Sequence, residues 1–143
     1  MKKCNEVMTK NPVCCLPSDT VSKVAELMKS KDIGPVPIIE NAQTKKLVGI
    51  VTDRDLALKI VADGRDPKST KAEDVMTREV VTCRAEEDLQ NALDAMSKHK
   101  LRRIPVIDTN SKIVGIIAQA DVATRVDQPE KTAAMVRGIS QSN

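Results

Sequence analysis

A chain of 143 residues, 41% hydrophobic and 30% charged, has the composition of an ordinary globular protein and the length of one compact domain or of two very small ones that share a core. Its formal charge of +3, with acidic and basic residues interspersed, is too mild a footprint for nucleic acid, and the complete absence of Phe, Tyr and Trp removes the rings on which single-strand binders stack bases. No apolar run approaches the roughly 20 residues that span a bilayer, and no apolar stretch follows the basic start Met1-Lys2-Lys3, so the expectation is a cytoplasmic protein with neither a membrane nor a nucleic-acid partner.

Along the chain, Val7-Met8-Thr9 precedes Val13-Cys14-Cys15, whose neighbouring thiols face opposite sides if the segment is a strand. Val21, Val24, Ala25 and Met28 then fall on one face of a helix, with Ser18 or Asp19 as its cap. Val36-Pro37-Ile38-Ile39 and Leu47-Val48-Gly49-Ile50-Val51 read as an antiparallel hairpin around the polar turn Glu40 to Lys46. A second helix follows from about Asp53 to Ala62, with Gly64 just past its end, and then a polar linker, Asp66-Pro67-Lys68-Ser69-Thr70-Lys71. Leu89, Ala92, Leu93 and Met96 repeat the helical spacing, Ile104-Pro105-Val106-Ile107 and Ile113-Val114-Gly115-Ile116-Ile117 repeat the hairpin, and a helix runs from about Gln119 to Val126. Pro129 sits at the first position of a small C-terminal helix reaching Ile139.

The chain therefore contains one plan twice: strand, helix, strand, strand, helix. Val7-Met8-Thr9 recurs as Val75-Met76-Thr77, and the same offset of 68 relates Val13 to Val81, Cys15 to Cys83, Met28 to Met96 and Pro37 to Pro105. Beyond the turn the offset is 66, matching Val48-Gly49-Ile50 with Val114-Gly115-Ile116, Asp55 with Asp121 and Ala57 with Ala123. Copies this short bury too little surface alone and are expected to pack together. The boundary is placed so that residues 1–66 form the first copy and residues 67–143 the second with its C-terminal helix.

This ordered set, occurring twice, resembles the cystathionine-β-synthase (CBS) domain, and the pair resembles a Bateman module, from Val7 to Ile139. The resemblance implies an α+β fold in which two three-stranded sheets pack with pseudo-twofold symmetry and leave two clefts. It also implies a further pairing into a homodimer.

Gly49-Ile50-Val51-Thr52-Asp53-Arg54-Asp55 resembles the family's nucleotide signature. Thr52 ends a strand and opens a helix, whose free N–H groups suit a phosphate, and the Asp55 carboxylate can accept from both hydroxyls of a ribose. Thr-x-x-Asp is equally an N-terminal capping box, and the two roles are compatible. Gly49 permits close approach of a neighbour or a ligand. In the second copy Ala118 replaces the hydroxyl residue while Asp121 remains, so that site is the poorer one. By resemblance the base lies against Thr9, Val13, Ile33, Gly34 and Pro35, and the first site also takes Arg54, with Arg102 and Arg103, just before the middle strand of the other repeat, on the phosphates. A second site would use Thr77, Val81 and Asp121. Arg102-Arg103 read by spacing alone is a solvated pair, and His99, between Lys98 and Lys100 at a helix end, reads as a surface residue.

Three functions are open at this point. The leading one is a regulatory sensor that requires no cofactor, binds AMP, ADP, ATP, S-adenosylmethionine or NAD(H) between its repeats, and signals to another protein. The second is a ligand-free dimerisation or adaptor module. The third is a redox or metal sensor using Cys4, Cys14, Cys15 and Cys83, although no CxxC pair is present and the metal expectation is none. No Ser-His-Asp or Cys-His grouping is legible, so an enzyme is not expected.

Overall fold

In the computed structural model, which describes residues 2–126 and 128–141, the chain opens with α1 (Cys4–Val7), β1 (Thr9–Lys10), α2 (Val21–Lys31) and the hairpin β2 (Val36–Ile39) and β3 (Leu47–Val51). Next come α3 (Asp53–Leu56), which continues as a π-helical turn (Ala57–Val61), α4 (Ala72–Val75), β4 (Cys83–Arg84) and α5 (Leu89–His99). The chain finishes with β5 (Arg103–Ile107), β6 (Ile113–Ala118), α6 (Gln119–Arg125) and α7 (Pro129–Ser140). Pro129 occupies the start of α7, where its missing N–H has no helical partner to lose. Gly64, past the π-helical turn, adopts φ +66°, the left-handed geometry that stops the helix.

One expected cap is replaced. Thr20, rather than Ser18 or Asp19, caps α2, its hydroxyl accepting from Lys23 N at 3.2 Å. The Asp19 carboxylate is drawn instead into the preceding turn, accepting from Leu16 N at 2.8 Å and pairing with Lys23 Nζ at 3.2 Å.

The chain folds as two compact units that interleave in sequence: Val13–Val80 is one, and Met1–Pro12 together with Val81–Asn143 is the other. In the composite unit the sheet order is β1-β6-β5-β4, with β5 and β6 antiparallel and β4 parallel to β5. The 13–80 unit repeats that order in reduced form. The β2–β3 hairpin is flanked by Cys15, bridged in parallel to Ile38, and by Thr77, bridged antiparallel to Ile50. Each sheet thus gains a short fourth member beyond the three strands implied by resemblance, and it comes from a Val-Met-Thr segment. Val7-Met8-Thr9 serves the second hairpin and Val75-Met76-Thr77 the first. The helices α1 and α4, which lead into these segments, bury Cys4 and Val7 in one case and Ala72 and Val75 in the other.

Each unit has its own apolar core. That of 13–80 joins Val21 and Val24 of α2 to Val36, Ile38, Val51 and Ile60, closed by Ala72, Val75 and Met76. That of the composite unit joins Leu89, Leu93 and Met96 of α5 to Ile104, Val106 and Ile117, with Val7 from α1 and Met135 and Ile139 from α7. β6 shows why the alternation V-G-I works: Ile113, Gly115 and Ile117 are buried while Val114, Ile116 and Ala118 are half-buried.

The strand glycines admit the Met side chains of the added segments. A Cβ on Gly49 would stand 2.5 Å from Met76 Sδ and 3.1 Å from Thr77 O, and one on Gly115 would stand 2.8 Å from Met8 Cγ and 2.9 Å from Thr9 O. The close approach anticipated at Gly49 is therefore to a neighbour. Gly49→Ala is expected to cost about 1–3 kcal/mol by overpacking. In a urea-unfolding cycle with Met76→Ala the two costs should fall short of additive, because the shortened side chain yields the space. Full additivity would show that the glycine is not spaced by Met76.

Candidate functional site

At the end of β3, Thr52 turns the chain into α3 with φ −108° and ψ 164°, the extended geometry of an N-cap. Its hydroxyl accepts from Asp55 N at 3.2 Å. The Asp55 carboxylate reaches back, Oδ2 accepting from Thr52 N at 2.9 Å and from Thr52 Oγ1 at 3.1 Å. Its other oxygen, Oδ1, pairs with Lys59 Nζ at 3.1 Å, one turn further along. The Asp55 side chain is only 12% exposed, so the capping box is formed and partly shielded. Lys59 goes on to donate to Val75 O at 2.7 Å, the C-terminal carbonyl of α4. Gly34 borders this corner, where a Cβ would lie 3.8 Å from Asp53 Oδ2. Arg54 is exposed, Ile33 leans on the core of this unit, and Val13 and Pro35 are half-buried.

The composite unit repeats the corner with different chemistry. Ala118 takes the N-cap position, and Asp121 Oδ2 accepts from its N–H at 2.8 Å without any hydroxyl on Ala118 to reciprocate. Thr9 of β1 supplies a hydroxyl instead, donating to Asp121 Oδ1 at 3.3 Å. Arg125 takes the place of Lys59, with Nη2 3.6 Å from Asp121 Oδ1 and Nη1 donating to Val7 O at 2.9 Å and Met8 O at 3.2 Å. Arg103 lies opposite Ala118 in the β5–β6 ladder, and Arg102 O accepts from Gln119 N at 2.9 Å. Both arginines therefore border the start of α6. Val81 packs on the core of this unit, and His99 is exposed in the last turn of α5.

The grouping differs from the one drawn from the sequence. Thr9 was placed with Thr52 and Asp55, and Thr77 with Asp121. In the fold Thr9 bonds Asp121, whereas Thr77 exchanges backbone hydrogen bonds with Ile50, at 2.8 and 3.0 Å, two residues before Thr52. The cause is the crossing of the Val-Met-Thr segments, each of which completes the hairpin of the other copy. Arg102 and Arg103 belong to the composite unit and Thr52 and Asp55 to 13–80, in the opposite copies to which the sequence assigns them. Lys59 and Arg125 were not singled out in the sequence. Both lie four residues after the Asp on a helix, and both share the offset of 66, a signal that was present.

Two repeats of one strand–helix plan, each completed by a Val-Met-Thr segment and each bearing an Asp at the start of its second helix, define a tandem repeat module. The CBS domain family matches residues 4–62 and 72–127, and the chain belongs to it. It is similar over its whole length to the CBS domain-containing protein YhcV of Bacillus subtilis (strain 168), with 34% identity over 143 residues and 99% of that protein covered. Among solved structures it resembles Hypoxic Response Protein I with two coordinated zinc ions, at TM-score 0.79 and 30% identity, over 87% of this chain and 99% of that one. It also resembles CBSX2 in complex with AMP, at TM-score 0.75 and 26% identity over 91% and 99% of the two chains. A third is the CBS domain pair of MJ0100 in complex with 5'-methylthioadenosine and S-adenosyl-L-methionine, at TM-score 0.74 and 27% identity over 86% and 94%.

The four cysteines divide between the units, Cys4 and Cys83 in one and Cys14 and Cys15 in the other. Among the described residues no three His, Cys, Asp or Glu side chains gather as a metal-ligand group. Burial pushes the Cys14 thiol up to about 11, against a smaller pull from Lys45, and burial aided by Asp19 pushes Cys15 up to about 11. The Cys83 thiol is also held well above its ordinary range, first by its hydrogen bond to Cys4 and then by burial. At pH 7.5 a rise from 9.0 to about 11 leaves roughly a hundredth of the thiolate of an ordinary cysteine at Cys14. Iodoacetamide labelling of Cys14 in the native protein should accordingly be slow at pH 7.5, and should climb about tenfold per pH unit toward pH 11. Labelling at the rate of the urea-unfolded chain would return Cys14 to the list of redox-active thiols.

Proposed function

We propose that this chain is a non-catalytic regulatory module that binds an adenosine-containing ligand at the Thr52–Asp55 corner and passes its occupancy on to a partner protein. The observation that supports this most is the Asp55 carboxylate, positioned by reciprocal bonds with Thr52 at the mouth of a helix, in a chain whose solved CBS relatives include complexes with AMP and with S-adenosyl-L-methionine. A carboxylate accepts from a vicinal diol, and the first-turn N–H groups of the following helix suit phosphate. Arg54, exposed in that first turn, adds a cation for it. The aliphatic surroundings of Ile33, Gly34 and Pro35 are suited to an adenine face, the only kind of surface available in a chain without aromatic residues.

The composite unit offers a second corner. It lacks the hydroxyl of Ala118's counterpart but has Thr9 on Asp121 and two arginines beside the helix start, a set suited to a ligand bearing more phosphate. No cofactor is needed for such a role, and a homodimer is the proposed assembly. A ligand-free adaptor is the second reading. It is favoured by one observation, that both oxygens of Asp55 already have partners within the chain.

The test begins with the near-ultraviolet spectrum of the purified protein. With no Trp, Tyr or Phe the chain is nearly transparent at about 260–280 nm, so an adenine band reports bound ligand directly. Calorimetric titration with AMP, ADP, ATP, S-adenosylmethionine and NADH follows. Asp55→Asn should weaken the ligand that binds by about tenfold or more, close to 1.4 kcal/mol, while the protein stays folded by circular dichroism. A wild-type protein with no adenine band and no binding across that panel is an adaptor.

A further inference from the structure

The pair formed by Asp55 and Lys59 does more than steady a helix. Lys59 Nζ bridges two places at once, Asp55 Oδ1 at 3.1 Å and Val75 O at 2.7 Å, and thereby ties the corner to the segment that carries Met76 and Thr77 into the sheet. That segment is otherwise held to the rest of its unit by backbone bonds: Ala72 N to Asp19 O at 2.8 Å, Glu73 N to Pro17 O at 3.1 Å, and the two-way exchange between Thr77 and Ile50. The arrangement is not accidental to one copy, since Arg125 makes the same bridge from Asp121 to Val7 O and Met8 O. Of the two Asp55 oxygens, Oδ2 already accepts twice from Thr52. Oδ1 is therefore the oxygen on which an incoming hydroxyl has room, and it is the one Lys59 holds.

We propose that Lys59 is a positioning residue that couples the Asp55 carboxylate to the 72–77 segment, so that a diol taking Asp55 Oδ1 loosens the hold on Val75 and frees that segment. The first half concerns the unliganded protein alone, and the second rests on the ligand reading given above. An ammonium released from Asp55 regains water, and the Val75 carbonyl, at the C-terminal end of α4, loses the one cation that bonds it among the described residues. Ala72, Val75 and Met76 seat the segment on the core of the unit, so loosening the bridge is expected to speed local opening at its end rather than to detach it. The Asp55 site would then report its occupancy through the stretch of chain that leads from the first copy into the second.

Amide hydrogen exchange in the unliganded protein tests the first half. At Met76 and Thr77, Lys59→Met should speed exchange by about fivefold, and Asp55→Asn by a similar factor, with the double variant no faster than the faster single one. Lys59→Arg should restore protection, because the second copy already uses arginine there. Ile39 N, which bonds Cys15 O at 2.9 Å elsewhere in the unit, is the internal control and should not change, confirming that each variant is folded. Unchanged exchange at Met76 and Thr77 in Lys59→Met, or additive effects in the double variant, overturns the coupling. AMP then tests the second half. Wild type should exchange faster at Met76 and Thr77 when AMP is bound, while Lys59→Met should bind AMP about threefold more tightly and show no further change. AMP that binds without altering Met76 and Thr77 defeats the coupling and leaves the ligand reading standing. A wild type that binds none of AMP, ADP, ATP, S-adenosylmethionine and NADH, with Lys59→Met and Asp55→Asn still coupled in exchange, defeats the ligand reading and leaves the bridge standing.

Discussion

The close approach of a methionine to a glycine strand is the contact on which the rest of this molecule depends. Met76 over Gly49 and Met8 over Gly115 bring a Val-Met-Thr segment near enough for its Thr to hydrogen-bond the strand, Thr77 with Ile50 and Thr9 opposite Ile116. Any Cβ at those glycines would occupy the space of a methionine side chain and press on a backbone carbonyl. A flexible thioether can adjust to an irregular gap, but the carbonyl has little freedom to move. Because each segment precedes one sequence copy and completes the sheet of the other, that single contact decides which parts of the chain form a unit.

The same crossing sets the chemistry of the two corners. Both keep an Asp that accepts from the N–H of the residue ending the strand, at 2.9 Å in one unit and 2.8 Å in the other. Beyond that they part. In 13–80 the hydroxyl comes from the cap residue itself, Thr52, and the bordering Gly34 and Pro35 carry no charge. In the composite unit the cap residue is Ala118, the hydroxyl arrives from Thr9 on the crossing segment, and the bordering pair is Arg102 and Arg103. The second corner is thus differently equipped rather than simply degraded. Its hydroxyl depends on α1 and β1 staying in place, whereas that of Thr52 does not depend on a distant segment.

Much of this was legible because it is periodic. Helical spacing at Val21 and Leu89, β-branched runs around a polar turn, Pro129 and Gly64 each carry a local physical signal, and each element appeared where that signal lay. The capping box was legible too, since Thr52 and Asp55 are only three residues apart. What was hidden is non-local. Nothing in Val7-Met8-Thr9 itself says which hairpin it joins, because both copies present the same V-G-I strand. The partners of Thr9 and Thr77 were exchanged for that reason. The α2 cap was misplaced by one or two residues because Asp19, a good cap by type, found a better use holding the turn at Leu16 and Lys23. Lys59 and Arg125 were visible as a repeated cation four residues after each Asp, but their second partners, the carbonyls of Val75 and Val7, belong to the crossing and follow from no spacing.

The two cations also differ in a way that bears on how the corners respond. Lys59 is a point charge on a flexible stem, sharing its protons between one carboxylate oxygen and one carbonyl. Arg125 spreads a planar fork across two carbonyls, Val7 O and Met8 O, with the Asp121 contact the longest of the three at 3.6 Å. The segment bridge in the composite unit is therefore less reliant on its carboxylate than the one in 13–80, where the ion pair is the shorter, 3.1 against 3.6 Å, although the two carboxylates are about equally shielded. Electrostatic attraction falls with separation, so a change at Asp55 acts on its cation more than the same change at Asp121 acts on Arg125. The two copies of one sequence plan thus hold their crossing segments by unequal means, and the copy with the intact Thr-x-x-Asp box is the one whose segment is tied most directly to the carboxylate.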